Sequence, residues 1–503
     1  MNNHGLSRRG FLRTCGATAA AGLAYPAAAE KQSRPNFLFL FTDDQTFRSI
    51  NTLNNSEVKT PNLDRLMKNG TTFTHAFNQG SWSAAVCICS RAMLNSGLNL
   101  YHAQRDIEKV PLWGQTFGEA GYTTWVTGKW HNGPRTLARS FNRGESIAAG
   151  GMHDAKGQYD RPKPGGVDWK PWDTDNGGHW RPNVADFDPT AANPAKCLMN
   201  RHTVEQHTSD LYADNAVRFL KEQAAGDDPF FMYVSFNAPH DPRQSPKEYV
   251  DMYPPEKIAL PPNYLPEHPF DQGERYTLRD ETLAPFPRTP EAVKTHISEY
   301  YAIITYTDAA IGRILDALEA TGKADNTYVI FSADNGLALG QHGLMGKQNQ
   351  YDHSVRMPLI VCGPGIRKGR TVDAMVYLHC MFPTTCELAG IAIPKTVESK
   401  SLVPLLMGKK KQVYDAIYGS YKEFQRMVRT EDYKLIVYPA AGEAQLFDVK
   451  NDPWETKDLA EDPKYADTAA RLMSRLKNLQ KEVGDMLELE MPVGAGSGRK
   501  AKS

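Results

Sequence analysis

Runs of apolar residues recur along the chain, and each is followed by a short polar cluster. The first, Asn36 to Phe41 (NFLFLF), is apolar after its first residue, which is typical of a strand buried on both faces. We predict that this run and the similar ones form strands and that the polar clusters lie just past their ends. The similar runs are Gly121 to Thr127, Phe230 to Phe236, Thr327 to Ser332 and Met357 to Cys362.

Helical patterns separate these runs. Thr60 and Pro61 are a helix start signal, and Gly70 is the matching stop. A longer helix is predicted from Ile297 to Ala320, where isoleucine and leucine recur at helical spacing. Alternating strands and helices predict an α/β fold with a large, mostly parallel sheet sandwiched by helices. Such sheets bind ligands outside the carboxyl ends of their strands.

Two regions have a different pattern. Residues 142–205 are rich in Gly, Pro, Trp, His and Asp without sustained periodicity, so we expect a long insertion over the sheet edge. After about residue 410 the apolar runs shorten into candidate short strands and one terminal helix. We therefore predict a large α/β domain over 34–410 that would carry the catalytic site, a smaller C-terminal α+β subdomain over 411–490, and a disordered tail over 491–503.

The beginning of the chain has the character of an export signal. Ser7 to Arg13 (SRRGFLR) contains paired arginines, and the Ala/Gly-rich stretch after it ends at Ala27 to Ala29. We predict a twin-arginine-type signal peptide over residues 1–29 and a bacterial protein that is exported folded, to the periplasm or outside the cell. A disordered basic tail is the alternative. Since no later run reaches roughly 18 apolar residues, we expect no membrane association of the mature form.

Composition limits the partners. Lys and Arg total 58 and Asp and Glu total 58, so no overall field attracts nucleic acid or an anionic membrane, and any anion must be bound locally. Seven cysteines are an odd number, and Cys15 falls within the predicted signal. A dense disulfide framework is therefore not expected.

Hard oxygen ligands follow two of the predicted strands. Asp43 and Asp44 follow the first strand, and Asp334 and Asn335 follow the fourth. If the two pairs meet, they surround one cation with three carboxylates and an amide, a set that favours calcium or magnesium over zinc. Strand-end Asp and Asn more often cap helices and turns. Two pairs at one sheet edge favour the cation.

A second set of polar residues also follows strand ends. Lys129, His131, His240 and Lys347 would form an anion pocket with two ammonium groups and two imidazoles able to transfer protons. Taken singly, each has an ordinary explanation as a surface lysine or a hydrogen-bonded histidine. Their recurrence at one edge favours function.

The segment AVCICSRAML, Ala85 to Leu94, places Cys87 and Cys89 at a predicted helix start. Arg91 lies one helical turn after Cys87, and the helix amides and the guanidinium would both favour an anion or an activated nucleophile there. A disulfide between the two cysteines would close a strained ring, and a metal clip would need further soft ligands. Packing of both thiols in the core remains open.

These residues resemble a known family. CICSRAMLNSG, from Cys87 to Gly97, is similar to the signature of the type I, formylglycine-dependent sulfatases of the alkaline phosphatase superfamily, with Cys89 where most members have Pro or Ala. Further elements of the family appear in order along nearly the whole mature chain. They are TDDQ at 42–45, TGKWH at 127–131, APH at 238–240, SADNG at 332–336 and HGLMGKQNQYDHSVRMPLIV at 342–361.

The resemblance implies that a formylglycine-generating enzyme oxidises Cys87 to formylglycine (3-oxoalanine), whose hydrate attacks sulfur. It also implies that Asp43, Asp44, Asp334 and Asn335 hold Ca²⁺ together with residue 87.

The resemblance further implies roles for the second set of residues. Lys129 and Lys347 would hold the sulfate oxygens, and His240 would protonate the departing alcohol. His131 would take a proton from the hydrate, Arg91 would hold the formylglycine, and His342 is a weaker candidate for substrate binding.

We therefore expect a sulfuric ester hydrolase acting on a sulfated carbohydrate, polysaccharide or oligosaccharide. Aromatic and polar residues of the insertion could line sugar subsites, or they could form the core of that insertion. A phosphodiester or phosphonate monoester hydrolase of the same superfamily and an inactive glycan-binding homologue are the alternatives. The candidate subsite residues are Trp169, Trp172, Trp180, His153 and Arg181.

Overall fold

The computed structural model describes residues 34–53, 55–148 and 169–490. The predicted signal peptide and the predicted C-terminal tail lie outside these residues. All described residues belong to one compact unit. In these ranges, each helix is too short or too polar to cross a membrane.

A ten-stranded sheet runs through the described residues, in the order β11-β2-β10-β9-β1-β8-β4-β5-β6-β7. The five strands from β9 to β5 are parallel, and β10 is antiparallel to both of its neighbours. This confirms the predicted α/β class with a mostly parallel sheet. The strands are β1 Asn36–Thr42, β2 Thr71–Phe77, β4 Thr123–Lys129, β5 Arg143–Ala148, β6 Asn183–Phe187, β7 Leu198–Thr203, β8 Phe230–Ser235, β9 Thr327–Ala333, β10 Arg356–Cys362 and β11 Arg370–Tyr377.

The apolar runs form central strands because both of their faces are covered. Every residue of β1 is buried, with Phe37, Phe39 and Phe41 packed on one face of the sheet and Leu38 and Leu40 on the other. Helices cover both faces of this sheet, and the last helix packs on a second sheet. They are α1 Pro61–Asn69, α2 Val86–Ser96, α3 Leu100–Asp106, α4 Trp113–Glu119, α5 Pro134–Ser140, α6 Thr208–Gln223, α7 Lys247–Val250, α8 Pro290–Ala320, α9 Asp352–Val355, α10 Met381–Ala389, α11 Val403–Leu406 and α12 Ala466–Val483.

Helix α8 is longer than predicted. It begins at Pro290, seven residues before Ile297, because the Thr289 side chain caps it by accepting a hydrogen bond from the amide of Ala292. Within the predicted span, Ile311, Ile314 and Leu315 pack with the sheet strands, whereas Ile297 and Ile304 pack in a separate apolar cluster. The cap-proline pair at its start is the signal that extends it.

The expected insertion over 142–205 differs from its prediction. Its described residues contribute β5, β6 and β7, which extend the large sheet to its edge. Five of the six residues of β7 are exposed, so no apolar alternation marks this strand in the sequence. Backbone pairing with β6 forms it instead.

A second sheet of five strands lies among the described residues, in the order β15-β14-β13-β12-β3. With α12 against it, this is the predicted C-terminal α+β subdomain. Its fifth strand belongs to the larger domain and immediately precedes the Cys87 segment. The strands are β3 Gly80–Ser81, β12 Ile417–Tyr421, β13 Gln425–Arg429, β14 Lys434–Tyr438 and β15 Glu443–Phe447.

Candidate active site

The two acidic pairs meet where β1 and β9 end. Thr42 lies beside Ala333 in the parallel register, so Asp43 and Asp334 leave the sheet next to each other. The amide of Asp44 donates to Asp334 Oδ1 over 3.0 Å, and the amide of Asp334 donates to the carbonyl of Thr42 over 3.2 Å. All of these residues are buried.

Asp44 adopts a left-handed backbone conformation, with φ of 68°. This region is unfavourable for a residue with a Cβ, so the surroundings must stabilise it. The Tyr300 hydroxyl from α8 donates to the carbonyl of Asp44 over 2.7 Å and accepts from the amide of Thr46 over 2.9 Å. Tyr300 therefore holds the turn that carries Asp44.

Cys87 lies in the first turn of α2 and faces the acidic pairs. Its Sγ is 3.3 Å from His131 Nδ1 and 3.4 Å from Lys129 Nζ. The candidate ligand atoms of Asp43, Cys87 and Asp334 all lie within 4.8 Å of one another. Burial raises the pKa of the Cys87 thiol, and Lys129 opposes this only in part. The unmodified side chain is therefore a neutral thiol.

Arg91 connects α2 to the sheet. Its Nε donates to Asp334 Oδ2 over 2.9 Å, and its Nη1 donates over 2.7 Å to both the Lys129 carbonyl and Ser235 Oγ. Three strand ends therefore hold one guanidinium. This arrangement fixes the helix that carries Cys87 relative to the acidic pairs.

Each of the two lysines pairs with one carboxylate. Lys129 donates to Asp43, and Lys347 Nζ lies 2.6 Å and 2.7 Å from the two carboxylate oxygens of Asp44. Burial disfavours both ammonium groups, but the neighbouring carboxylates outweigh it and raise both pKa values. Both lysines are therefore cationic and available to an anion.

The two histidines differ in their surroundings. Burial and Lys129 lower the pKa of His131 to about 2, so its ring is neutral and able to accept a proton. His240 lies with Nδ1 2.7 Å from the Asp241 carbonyl, an acceptor, which places the first ring proton on Nδ1. Its Nε2 points to Asp44 Oδ2 at 3.8 Å. Burial and Lys347 lower the pKa of His240.

The acidic pairs contain oxygen atoms that need a partner. Asp43 Oδ1 and Asn335 Oδ1 are buried and accept no hydrogen bond from any residue in the described ranges. Leaving such an oxygen unsatisfied costs about 1–3 kcal/mol. With Asp44 and Asp334 beside them, these oxygens form a hard donor set that suits a divalent cation such as Ca²⁺.

Sequence reasoning missed the segment Arg279 to Glu281. Arg279 donates to both Asp241 oxygens over 3.0 and 3.2 Å, and its Nη2 lies 3.5 Å from His240 Nε2. Glu281 accepts from the amides of Met345 and Gly346 over 3.0 and 2.9 Å. The segment therefore supports both the His240 loop and the Lys347 loop. Its charged residues follow no strand, so no sequence signal marked them.

His342 does not join the other candidates. Its Nε2 lies 3.0 Å from the Asn263 amide, and its ring stacks on Tyr351 with centroids 3.8 Å apart. Burial lowers its pKa to about 3. The structure therefore places His342 in aromatic packing with Tyr351, and its substrate-binding role stays a prediction.

The candidate sugar-subsite residues of the insertion make contacts of their own. Trp169 Nε1 donates to Glu299 over 2.9 Å, and Trp180 Nε1 donates to the Pro171 carbonyl over 2.9 Å. These hydrogen bonds tie the insertion to itself and to α8. His153 lies outside the described residues. Arg181 pairs with Asp175, and Lys247 lies over the Trp172 ring.

The two cysteines of the segment have different environments. Cys89 is fully buried with Met93, Leu98 and Leu100 in a small apolar cluster. Its Sγ lies 3.0 Å from Ser81 Oγ, and burial raises its pKa to about 12. The six cysteines among the described residues are free thiols. The core-packing alternative therefore holds for Cys89, and Cys87 alone faces the candidate site.

Together these groups can hold a cation, bind an anion and transfer protons, which are the requirements for enzymatic hydrolysis of a charged ester. Residues 35–391 match the model of the sulfatase family. The chain belongs to this family, and it is a hydrolase of sulfuric ester bonds. Residues 340–482 also match the C-terminal region of N-sulphoglucosamine sulphohydrolase.

Curated relatives extend over most of the chain. An arylsulfatase of Clostridium perfringens is 27% identical over 456 residues, which are 86% of this chain and 91% of the relative. An N-acetylglucosamine-6-O-sulfatase of Bacteroides thetaiotaomicron is 26% identical over 541 aligned positions, covering 93% of this chain and 90% of the relative.

Solved structures share the fold. A protein in complex with its substrate D-glucosamine-2-N,6-O-disulfate aligns with a TM-score of 0.71 at 21% identity, covering 90% of this chain and 99% of the other. A phosphonate monoester hydrolase from Silicibacter pomeroyi aligns with a TM-score of 0.69 at 22% identity, covering 90% of this chain and 96% of the other.

Proposed function

We propose that the enzyme removes sulfate from a sulfated carbohydrate, using formylglycine made from Cys87 together with Ca²⁺. The observation that carries the proposal is the position of Cys87 Sγ, 3.4 Å from Lys129 Nζ and within 4.8 Å of ligand oxygens of Asp43 and Asp334. The curated N-acetylglucosamine-6-O-sulfatase supports a carbohydrate substrate.

Two groups supply chemistry beyond the unmodified side chains. Formylglycine at position 87, formed by a maturation enzyme, supplies a hydroxyl nucleophile through its hydrated aldehyde. Asp43, Asp44, Asp334 and Asn335 would hold Ca²⁺, which polarises sulfate oxygens as a Lewis acid.

The chain's own residues bind the charged end of the substrate. The ammonium groups of Lys129 and Lys347 are buried and point into the candidate site. In such a dry site, fixed cations stabilise charge that builds on sulfate oxygens more strongly than water does. Arg91 holds α2, and hence residue 87, in place for attack on sulfur.

The two histidines divide the proton transfers. His240 has its first proton on Nδ1, so it can protonate the departing alcohol from Nε2 only as an imidazolium. His131 is neutral, and its Nδ1 lies 3.3 Å from the side-chain atom of residue 87. It is therefore placed to accept a proton from that side chain when sulfate is released.

The test has two parts. Mass spectrometry of the peptide that carries residue 87, from protein produced in its native host, should show formylglycine in place of cysteine. That protein should release sulfate from at least one member of a panel of defined sulfated oligosaccharides, and a chelator should stop the release. An intact thiol at residue 87, or unchanged activity in the chelator, would contradict the proposal.

A phosphonate or phosphodiester activity is the second candidate, favoured by the shared fold with the phosphonate monoester hydrolase. The same lysines could bind a phosphoryl group. Comparing kcat/KM for the sulfate, phosphate and phosphonate esters of one aryl alcohol distinguishes the two activities, because all three esters have the same leaving group. A larger kcat/KM for the sulfate ester supports the sulfatase assignment.

We also propose export by the twin-arginine route, from the paired arginines Arg8 and Arg9. Replacing both with lysine should retain the protein in the cytoplasm, as cell fractionation would show.

A further inference from the structure

A large groove lies between the edge strand β11 and the C-terminal subdomain. Its volume is about 1100 Å³, and its lining contains eight lysine or arginine residues against two carboxylates. We call it the basic groove. The candidate active-site residues are not among those that line it. Because the whole chain has no net charge, this is a local concentration of positive charge.

The positive charges form an inner and an outer layer. In the inner layer, Arg356 and Arg429 are buried and each lies 3.3 Å from a carboxylate oxygen of Asp352, which compensates them. In the outer layer, Arg367, Lys410 and Lys411 are exposed. Their side chains form no ion pair with any described residue. These three cations are therefore available to an external anion.

The loop that carries Lys410 and Lys411 is attached to β11 by hydrogen bonds to backbone carbonyls. Arg370, on β11, donates from Nη1 to the carbonyls of Leu405 and Leu406 over 2.7 and 2.8 Å. The amides of Lys409 and Lys410 donate to the carbonyl of Pro404 over 2.8 and 3.0 Å. The segment that carries Lys409 and Lys410 is therefore attached to the strand that carries Arg370.

The lining also limits the ligand. Its aromatic side chains are Phe47, which is buried with the Arg356 guanidinium 3.6 Å from its ring, Tyr414, with the Lys400 ammonium at 4.4 Å, and the half-buried His75. Among the described lining residues none of these rings is exposed, which disfavours the base stacking that single-stranded nucleic acids use. Several cations along an open groove without exposed rings suit a linear polyanion of sugars.

We propose that the basic groove binds a segment of a sulfated polysaccharide, as a second site apart from the catalytic one. This assignment rests on the proposed function, because the polymer is then the material whose sulfate groups the active site removes. The groove holds the chain while sulfate esters elsewhere on it reach the site. It lowers KM for the polymer and leaves small esters unaffected.

The test compares two triple variants in full-length protein that also carries Cys87→Ala, so that binding is measured without turnover. The groove variant has R367E, K410E and K411E. A control variant with the same net charge replaces three exposed lysines outside the groove. Affinity electrophoresis uses gels that contain dextran sulfate, uncharged dextran or duplex DNA. The control substitutions are K221E, K257E and K477E.

We expect dextran sulfate to retard the parent and the control, and to bind the groove variant at least about tenfold more weakly, with less difference at high salt. Uncharged dextran should retard none of them. Equal binding by the groove and control variants would overturn the proposal. Duplex DNA that binds the parent as tightly as dextran sulfate, and is lost in the groove variant, would assign the groove to nucleic acid instead.

A second measurement uses the same triple variants with Cys87 intact. The kcat/KM for a small aryl sulfate should be unchanged in the groove variant, and that for a sulfated polymer should fall. If the intact enzyme releases no sulfate from any ester, the proposed function fails, while the binding result still decides whether the groove holds a polyanion.

Discussion

Arg91 Nε donates a hydrogen bond to Asp334 Oδ2 over 2.9 Å and joins two residues that are 243 positions apart in the chain. Both side chains are fully buried. The pair attaches α2, which carries Cys87, to the end of β9, where the oxygens proposed to bind a cation lie. One ion pair therefore positions residue 87, the proposed nucleophile, relative to the proposed cation site.

Replacing Arg91 with methionine should destabilise the protein strongly. The Asp334 carboxylate would remain buried next to Asp43 without its compensating cation, and breaking such a buried pair costs about 3–5 kcal/mol. Denaturant unfolding of the metal-free protein measures the free energy of unfolding. Arg91→Lys keeps the charge but not the three-way hydrogen bonding, so an intermediate loss is expected. A loss below about 1 kcal/mol in Arg91→Met would contradict the role of the pair.

Tyr300→Phe should weaken Ca²⁺ binding. The hydroxyl is the group that holds the left-handed turn at Asp44, and loss of such a supporting contact costs roughly 10–100-fold in metal affinity. Calorimetric titration of the chelator-treated protein measures this. Tyr301→Phe is the matched control, because its hydroxyl contacts Asn55 away from the site. Equal affinities in the two variants would show that the Asp44 turn does not need Tyr300.

Most of the fold could be predicted from the sequence, because both faces of the central strands are buried. Phe37 to Phe41 has to be apolar throughout, and the run therefore marks the strand and its end. In a parallel sheet the carboxyl ends of the strands lie at one edge, so Asp43 and Asp334 could be placed at the same edge without a structure, and the neighbouring positions of β1 and β9 bring them together.

The rest could not be predicted for physical reasons. The β7 strand is exposed and formed by backbone pairing, which leaves no pattern in its side chains. Tyr300 and Arg279 act through side-chain hydrogen bonds from a helix and a loop, and their spacing along the chain is unrelated to the sites they support. Such contacts become visible only when the three-dimensional structure is known.

Ca²⁺ should stabilise the protein more at pH 8 than at pH 5. Burial and the nearby Asp43 raise the pKa of Asp334 from its ordinary 3.8 to about 7. The folded metal-free protein thus holds more protons than the unfolded chain, so this group's contribution to stability is complete below pH 3.8 and is lost as the pH rises through about 7. A cation that binds the ionised Asp334 carboxylate restores the stability that is lost at high pH.

The measurement is the Ca²⁺-induced rise in Tm of chelator-treated protein as a function of pH. Asp43 does not titrate in this window, because Lys129 and other cations hold its pKa well below the ordinary range against the effect of burial. Sodium chloride at equal ionic strength is the control. A calcium effect that is constant from pH 5 to pH 8 would contradict the assignment of Asp334.

Arg279→Met should move the basic limb of the kcat/KM profile to higher pH, by about one unit. The variant removes a cation 3.5 Å from His240 Nε2 and takes a guanidinium away from Asp241 beside the ring, and both changes favour the imidazolium. Arg313→Met, which breaks a surface pairing with Asp210, should leave the profile unchanged. A lower rate without a shifted limb would mean that Arg279 only supports the loop.

Cys89→Ala should lower the stability of the protein and keep sulfate release, whereas Cys87→Ala should abolish sulfate release. Cys89 packs in an apolar cluster, and loss of its sulfur should lower the free energy of unfolding by about 1 kcal/mol. Its thiol faces Ser81 rather than the cation-binding oxygens, so conversion of Cys87 and sulfate release should persist within a few-fold. Cys87→Ala should abolish sulfate release, because no other thiol lies within 3.5 Å of Lys129 Nζ among the described residues.

Denaturant unfolding, mass spectrometry of the peptide with residue 87 and sulfate release together separate the two cysteines. Cys89 stands where most members of the family have Pro or Ala, so alanine at this position restores a residue that the family uses. Unconverted Cys87 in the Cys89→Ala protein would show that the maturation enzyme of this host reads the second cysteine itself. Full conversion would confine Cys89 to packing and leave Cys87 as the functional residue of the pair.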